Sequence, residues 1–321
     1  MSALHKKFPG VEVGGSSSMK SSNIGGQAVM EGVMMRNADK YAVAVRKTDG
    51  EIVVKTEEYK GIVQNKKIRS LPIIRGVFSF IDSMVLGMST LTYSASFFMD
   101  EEEEEKDEKK ESVMMGLTIA CSVVMAVAIF MILPYFLSQL FRKVTDSTTL
   151  ITLLEGAVRL VIFFGYILLI SRMKDIQRVF MYHGAEHKCI NCIEHGMELN
   201  VENVLKSSRL HKRCGTSFLF IVMIVSIIFF LFIRIESPIW RVVFRLLLIP
   251  VIAGVSFEFI RLAGKSENKL VIFLSKPGMM LQKLTTREPD ASMAEVAIAS
   301  VEAVFDWRAY LKENFGWQEK V

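Results

Sequence analysis

The sequence has 321 residues, of which 51% are hydrophobic and 23% are charged, and its formal net charge is +5. This composition excludes a disordered or fibrous protein, and four cysteines are too few for a disulfide scaffold in so long a chain. The modest positive charge fits basic loops beside a membrane and does not predict nucleic-acid binding. Residues 1–40 contain no apolar run typical of a secretory signal, so we expect none.

Residues 1–99 have the composition of a soluble region. Residues 1–23 are rich in Gly and Ser and predict a flexible leader, and residues 24–99 are predicted to form a cytoplasmic region. Around Asp49-Gly50, β-branched and polar residues alternate, which predicts a β-hairpin. From Pro72 onward, apolar residues at helical spacing predict an amphipathic helix. This helix lies in the membrane interface or packs on the helical bundle, and a fifth, re-entrant span is a further alternative.

The membrane region follows a charged linker. Residues 100–112 carry dense charge without an apolar anchor, so they predict a solvated linker. Two transmembrane pairs are then predicted at 113–171 and 216–262. Their four apolar stretches are each close to the ~20 residues that cross a bilayer; they are 113–137, 149–171, 216–234 and 240–262. The predicted fold is mainly α, a polytopic membrane helical bundle of about four spans.

Four ionisable residues fall inside the predicted spans. Glu155 and Arg159 lie in the second span, and Arg245 and Glu258 lie in the fourth. Charged groups are costly in lipid, so we expect all four to face the interior of the bundle. They form either structural ion bridges between helices or a polar path through the membrane.

The loop at 172–215 carries most of the basic residues between spans, whereas the connections 138–148 and 235–239 are short. Because Lys and Arg resist translocation, this loop and both termini are predicted to be cytoplasmic. The C-terminal region, 263–321, is predicted to be cytoplasmic as well. It opens with a short apolar segment and a turn, and it contains a helix with an apolar face at 292–307 that docks on a surface.

The loop at 172–215 also contains the candidate metal-binding residues. His183 and His187 are spaced i,i+4, so on a helix both imidazoles project from one face and can share an ion. With Glu186 they form the order H-x-x-E-H, in which histidines hold Zn²⁺ and the glutamate acts as a base. His211 and Cys214 form a second pair that can supply further ligands.

Two other interpretations compete for these residues. Cys189 and Cys192 form a C-x-x-C pair that can bind a structural zinc together with His211 and Cys214. The cluster can also be ordinary packing at a membrane boundary, since short motifs occur by chance. Four protein ligands would indicate a structural site, whereas three would leave a position open for substrate. His195 is interpreted as a surface residue in a turn.

Three separated blocks resemble a known family. They are GGQAVMEGVMMR at 25–36, HGAEHK at 183–188 with HKRCGTSFL at 211–219, and LTTREP at 284–289. On these blocks the chain, from residue 24 to about 305, resembles the bacterial DUF1385 family. The resemblance implies a multi-pass protein of the bacterial cell membrane, described as a predicted metal-dependent enzyme with no substrate attached.

The site residues that the resemblance carries over are His183, Glu186, His187, His211 and Cys214. The chain departs from the family pattern at Lys212, where proline is usual, and at Cys189. Because of the second departure, the resemblance does not carry the C-x-x-C pair over as a metal site.

The first and last blocks add further candidates. Glu31 is a candidate metal ligand or second acid/base, while Gln27, Arg36 and Arg287 are candidates for substrate binding. The alternative for the first block is the start of a capped helix that packs under the hairpin, because Gln27 and Glu31 are spaced i,i+4. The alternative for Arg287 is a simple turn before Pro289.

These observations predict a membrane protein with a cytoplasm-facing divalent-metal site, most simply Zn²⁺. The first hypothesis is a metal-dependent hydrolase that acts on a membrane-associated substrate. The second is a non-catalytic assembly or scaffold protein with a structural metal clamp, and the third is a transporter. The expected partners are the lipid bilayer and a protein partner or second copy of the chain, with no nucleic acid.

Overall fold

The computed structural model describes residues 19–98, 108–233, 235, 237–265 and 268–318. The predicted leader and charged linker therefore fall largely outside the described residues. Four antiparallel strands pair in sequence order; they are β1 (Gly25–Val29), β2 (Gly32–Asn37), β3 (Lys40–Arg46) and β4 (Ile52–Glu58).

Helices make up most of the remaining described chain. In sequence order they are α1 (Lys66–Ser70), α2 (Ile74–Ala95), α3 (Glu108–Val127), α4 (Leu133–Gln139), α5 (Thr148–Ile170), α6 (Lys174–Glu194), α7 (Val201–Lys206), α8 (Gly215–Phe232), α9 (Pro238–Lys265), α10 (Lys269–Thr285), α11 (Ala291–Val304) and α12 (Trp307–Phe315). A π-helical turn at Ala128–Ile132 joins α3 to α4. Helix α10 occupies the segment that the sequence predicted as a short apolar run and a turn.

The predicted mainly α membrane bundle is confirmed. Five helical segments among the described residues are long and apolar enough to cross a bilayer; they are Ile74–Phe98, Val113–Lys143, Thr148–Ile170, Gly215–Phe232 and Ile239–Gly264. Four of them correspond to the predicted spans, and the fifth is the predicted amphipathic helix, α2.

The predicted hairpin around Asp49-Gly50 is confirmed as β3 and β4, with Gly50 at a φ of 91°. The block at 25–36 forms a second hairpin, so its interpretation as a helix start is wrong. Val29 pairs with Gly32, which makes Met30 and Glu31 the turn. Glu31 takes a positive φ of 48°, an uncommon conformation for a residue other than glycine.

The sheet is covered on both faces. One face contributes Val33, Met35, Ala42 and Ala44 to a hydrophobic core with α6, α7, α11 and α12. The opposite face contributes Met34, Val43 and Val45 to a second core, which includes Leu86 of α2. The predicted C-terminal docking helix is thus α11, and it packs on the sheet and on α6.

Helix α2 turns its apolar stripe outward. Met84, Val85, Met88 and Leu91 of this stripe are exposed, whereas the buried positions of the helix are mainly small or polar. Small residues allow close packing between membrane helices, as where a Cβ at Gly76 would lie 3.0 Å from Cα of Gly254 in α9. The exposed apolar stripe is a surface of the kind that contacts lipid or another protein.

The charged residues within the spans bridge helices. Glu155 of α5 accepts from Arg159 at 3.0 Å and from Arg245 of α9 at 2.5 Å and 2.9 Å, and all three side chains are buried. Glu258 pairs instead with Arg75 of α2. Ion bridges between helices are therefore present, as one of the two sequence interpretations predicted.

Candidate metal centre

Helix α6 presents the H-x-x-E-H motif on a regular helical segment. The helix begins at Lys174 and continues unbroken to Glu194. The ring centroids of His183 and His187, one turn apart, are separated by 4.4 Å. The two imidazoles therefore lie side by side, as their spacing predicts.

Cys214 approaches both histidines from the start of α8. It is the N-cap residue of that helix, and its Sγ accepts from the backbone N–H of Thr216 at 3.4 Å. Sγ lies 3.2 Å from Nε2 of His183. One ligand atom each from His183, His187 and Cys214 lies within 4.8 Å of the others. The three groups therefore converge as candidate ligands of one ion, and bonds of about 2.0–2.3 Å require the ligand atoms to move closer together when the ion binds.

Backbone carbonyl groups form hydrogen bonds with Nδ1 of both imidazoles. Nδ1 of His183 lies 2.8 Å from the carbonyl oxygen of Thr285, and Nδ1 of His187 lies 2.6 Å from that of Arg209. Because a carbonyl oxygen only accepts, each Nδ1 carries the proton and donates it. Each Nε2 then keeps its lone pair for an ion, which is the arrangement of metal-ligating histidines.

Glu186 places a buried carboxylate beside these ligands. Its Oε2 lies 3.9 Å from Nε2 of His183, a distance that one water molecule can bridge. Burial raises the pKa of Glu186 to about 7, while the neighbouring His183 and the backbone N–H of Gly26 act in the opposite direction. A pKa near neutrality suits a group that takes up and releases protons.

Two glycines are required by this geometry. A Cβ on Gly26 of β1 would lie 2.4 Å from the carbonyl oxygen of Met34 and 3.1 Å from Cγ of Glu186. A Cβ on Gly184 would lie 2.0 Å from the carbonyl oxygen of Arg287. Both positions therefore exclude a side chain, and the close packing at Gly184 brings the segment after α10 onto the helix that carries the histidines.

His211 lies beside the cluster and has a partner of its own. Its ring centroid is 5.7 Å from that of His187, and its Nε2 lies 3.5 Å from Oε2 of Glu194. Burial would raise the pKa of Glu194, but the neighbouring His211 and Arg213 lower it to about 2. The structure thus places His211 in a pair with Glu194, next to the three converging ligands.

The C-x-x-C pair lies away from the converging ligand atoms. Cys189 and Cys192 are fully buried in the core between α6 and the sheet. Burial raises the pKa of both thiols, that of Cys192 to about 12. The Cys192 thiol donates to the carbonyl oxygen of Glu198 at 3.3 Å. The pair therefore packs as core thiols, and the structure does not bring it into a zinc site with His211 and Cys214.

The other predicted site residues divide into two groups. Gln27 and Arg36 line a cavity beside the cluster. Glu31 lies at the turn between β1 and β2 and pairs with Arg178 of α6, so the structure does not place it among the converging ligands. Arg287 donates to the carbonyl oxygen of Ser171 at 3.0 Å, which braces the start of α6. Glu31 and Arg287 do not line this cavity.

The cavity has a volume of about 830 Å³, within the range of small-molecule sites. His183, Glu186 and Cys214 line one part of it. Other walls come from the sheet and from α2, α8 and α9. The cluster is therefore accessible to a ligand from one side.

No sequence motif marks several of the residues that shape this site. The carbonyl groups of Arg209 and Thr285 and the carboxylate of Glu194 hold the imidazoles, yet no motif marks a backbone acceptor. Gln282 also donates to the carbonyl oxygen of His211 at 2.7 Å. Only Thr285 lies within a block that the resemblance had marked.

Comparison with known proteins now places the chain in a family. The family model described as "Protein of unknown function (DUF1385)" matches residues 71–307. The chain belongs to the DUF1385 family. It is 36% identical over 301 residues to the "Uncharacterized protein YqhQ" of Bacillus subtilis (strain 168), covering 90% of this chain and 94% of that protein. No solved structure matches it.

The DUF1385 match covers the ligand cluster and most of the membrane helices. It begins after the sheet, so the block at 25–36 lies outside the matched residues. Neither description names an activity or a metal. The metal-dependent activity that the sequence resemblance implied has no support in these descriptions and depends on the site geometry.

Proposed function

We propose that this DUF1385 protein binds a divalent ion of the zinc type and hydrolyses a membrane-associated substrate. The observation that carries the proposal is the pair of imidazoles whose Nδ1 atoms are held by carbonyl groups, with Cys214 beside them. Nitrogen and sulfur ligands in this combination favour zinc over magnesium or calcium. The exposed apolar helices support a location in the bacterial cell membrane.

A catalytic metal site needs one coordination position that no protein ligand occupies. Three ligands, His183, His187 and Cys214, converge, and the cavity reaches two of them. Three protein ligands with access from a cavity are typical of catalytic zinc sites, whereas structural sites have four. A bound ion supplies Lewis-acid activation of water and of the substrate oxygen.

Glu186 is the proposed general base. Its carboxylate is buried and within one water molecule of His183, so its Oε2 can accept a proton from the attacking water. The same group then protonates the leaving atom of the substrate. Arg36 and Gln27, which also line the cavity, are proposed to contact the polar part of the substrate.

The orientation of the chain belongs to the same proposal. Basic residues concentrate in the segment that carries the cluster. Because such residues resist translocation, we place the sheet, the cluster and both termini on the cytoplasmic side.

A structural metal clamp is the second candidate. The ligands come from α6 and α8, while the carbonyl groups that hold the histidines come from the end of α10 and from the loop before α8. An ion at this point would therefore join several separate segments. This candidate assigns no proton transfer to Glu186.

Substitution of Glu186 separates the two candidates. Glu186→Gln keeps the size of the side chain but removes the base, so turnover is expected to fall ~10²–10⁴-fold, which abolishes complementation, with metal content unchanged. The measurement is complementation of a deletion strain, with bound metal quantified by mass spectrometry on the purified protein. Exposed Glu198 provides the matched control, and Glu198→Gln is expected to complement fully. Full complementation by Glu186→Gln would favour the clamp.

A further inference from the structure

Chain connectivity determines on which side of the membrane α2 lies. The sheet precedes α2, and α6 follows α5, yet the sheet and α6 share one hydrophobic core. An even number of membrane crossings must therefore separate them. The segment Val113–Lys143 and helix α5 provide two crossings. With these two crossings in place, α2 cannot itself cross the membrane, although its length and composition would allow it.

Contacts along α2 agree with this placement. Asp82 accepts from Tyr59 at 3.1 Å and from the backbone N–H of Ile62 at 2.8 Å. Further along, Thr90 accepts from Gln27 at 2.9 Å and Ser94 accepts from the N–H of Met30 at 3.1 Å. The C-terminal half of α2 therefore lies against the soluble sheet, while its apolar stripe remains exposed.

Helix α2 is also a wall of the cavity. Ser79, Phe80, Ser83 and Leu86 line it from this helix, and Ser83 is exposed. The cavity thus reaches the molecular surface at α2, next to the exposed stripe of Met84 and Val85. A lipid that contacts this stripe would lie next to the opening.

Both apolar and polar side chains line the cavity. Phe80 and Phe218, whose ring centroids are 5.5 Å apart, line it with Phe257 and Ile260 of α9. His183, Glu186 and Cys214 line the same cavity. This combination of side chains suits a ligand that carries both a hydrocarbon chain and a polar group.

We propose that the cavity takes up a lipid-like amphiphile from the inner leaflet through the opening at α2. Its acyl chain lies along the phenylalanine side chains, and its ester, amide or phosphoester group reaches His183 and Cys214. The assignment of this amphiphile as a substrate rests on the proposed function, whereas its binding does not require the metal.

Photolabelling in nanodiscs tests the proposal. The probe is phosphatidylglycerol with a diazirine on one acyl chain, and labelled peptides are identified by mass spectrometry. Cavity residues of the soluble part, Met34 and Ile190, lie beyond the reach of lipid that stays in the bilayer. We expect label on both in the wild type, with exposed Val123–Met125 of α3 as the bilayer reference.

Tryptophan at the opening provides the matched variant. Ser83→Trp is expected to lower labelling of Ile190 relative to α3 by about fivefold or more, because the indole fills the entrance. Ser89→Trp, on the same helix but outside the cavity lining, is expected to leave the ratio unchanged. If Ser83→Trp fails to fold, the wild-type labelling pattern alone tests the proposal that the cavity takes up an amphiphile.

Three results would overturn the proposal. The first is a wild type labelled only at bilayer-facing residues. The second is labelling of Ile190 that Ser83→Trp leaves unchanged, and the third is labelling of Ile190 that a water-soluble diazirine without an acyl chain reproduces. Metal content measured on the same samples distinguishes the two proposals, since labelling without bound metal contradicts the hydrolase and supports amphiphile binding.

Discussion

Replacing His187 with alanine is expected to weaken metal binding by at least ~100-fold, since even loss of an outer hydrogen bond to a ligand costs about 10–100-fold. His187 is 1% exposed, and its Nδ1 is held by the carbonyl group of Arg209. The measurement is competition with a chelator of known affinity, using detergent-purified protein loaded with Zn²⁺.

His195 is the matched control for this substitution. It lies at the end of the same helix, and its Nδ1 contacts the carbonyl oxygen of Asn191 at 2.7 Å, outside the converging ligands. His195→Ala is expected to bind zinc as the wild type does. Equal zinc affinity in His187→Ala and the wild type would remove His187 from the site. A large loss of thermal stability in His187→Ala, beyond the loss of metal, would favour the structural clamp.

Replacing Glu155 with glutamine is expected to destabilise the membrane bundle by roughly 3–5 kcal/mol, the usual cost of breaking a buried ion pair. Glu155 is the shared partner of Arg159 and Arg245, and all three are buried. Glutamine would leave two guanidinium groups without a counter-charge among apolar helices. Thermal unfolding in detergent would show a midpoint lowered by on the order of 10 °C.

A double substitution provides the control. Glu155→Gln combined with Arg245→Met removes one cation together with the anion, so we expect it to be more stable than Glu155→Gln alone. Arg159 keeps its contacts with Ser226 at 3.0 Å and with the carbonyl oxygen of Phe130 at 3.0 Å. A stable Glu155→Gln protein that has lost function with its metal intact would instead support a polar path through the membrane.

The sequence predicted the membrane bundle and the hairpin at Asp49-Gly50 because both have strong local signals. Membrane spanning explains all the long apolar stretches at once, and an Asp-Gly pair marks a tight turn. The hairpin of β1 and β2 was missed because its turn is Met30-Glu31, which carries no such signal. The i,i+4 spacing of Gln27 and Glu31 favoured a helix, although strand pairing determines the structure there.

The candidate site was predictable where its ligands lie within one helical turn. His183, Glu186 and His187 follow from spacing alone, and Cys214 follows from the resemblance and from its place at the start of a span. The separation of His211 and of Cys189 from the converging ligands depends on tertiary packing that no spacing encodes. The same holds for the backbone carbonyl groups that hold the imidazoles.

X-ray absorption at the zinc edge is the most direct measurement of the metal centre. Wild-type protein purified without chelator and loaded with Zn²⁺ is expected to show about one sulfur at ~2.3 Å and two nitrogens at ~2.0 Å. The sulfur contribution should disappear in Cys214→Ser. Wild-type protein that retains no zinc, or zinc surrounded only by oxygen, would contradict a metal centre built from His183, His187 and Cys214.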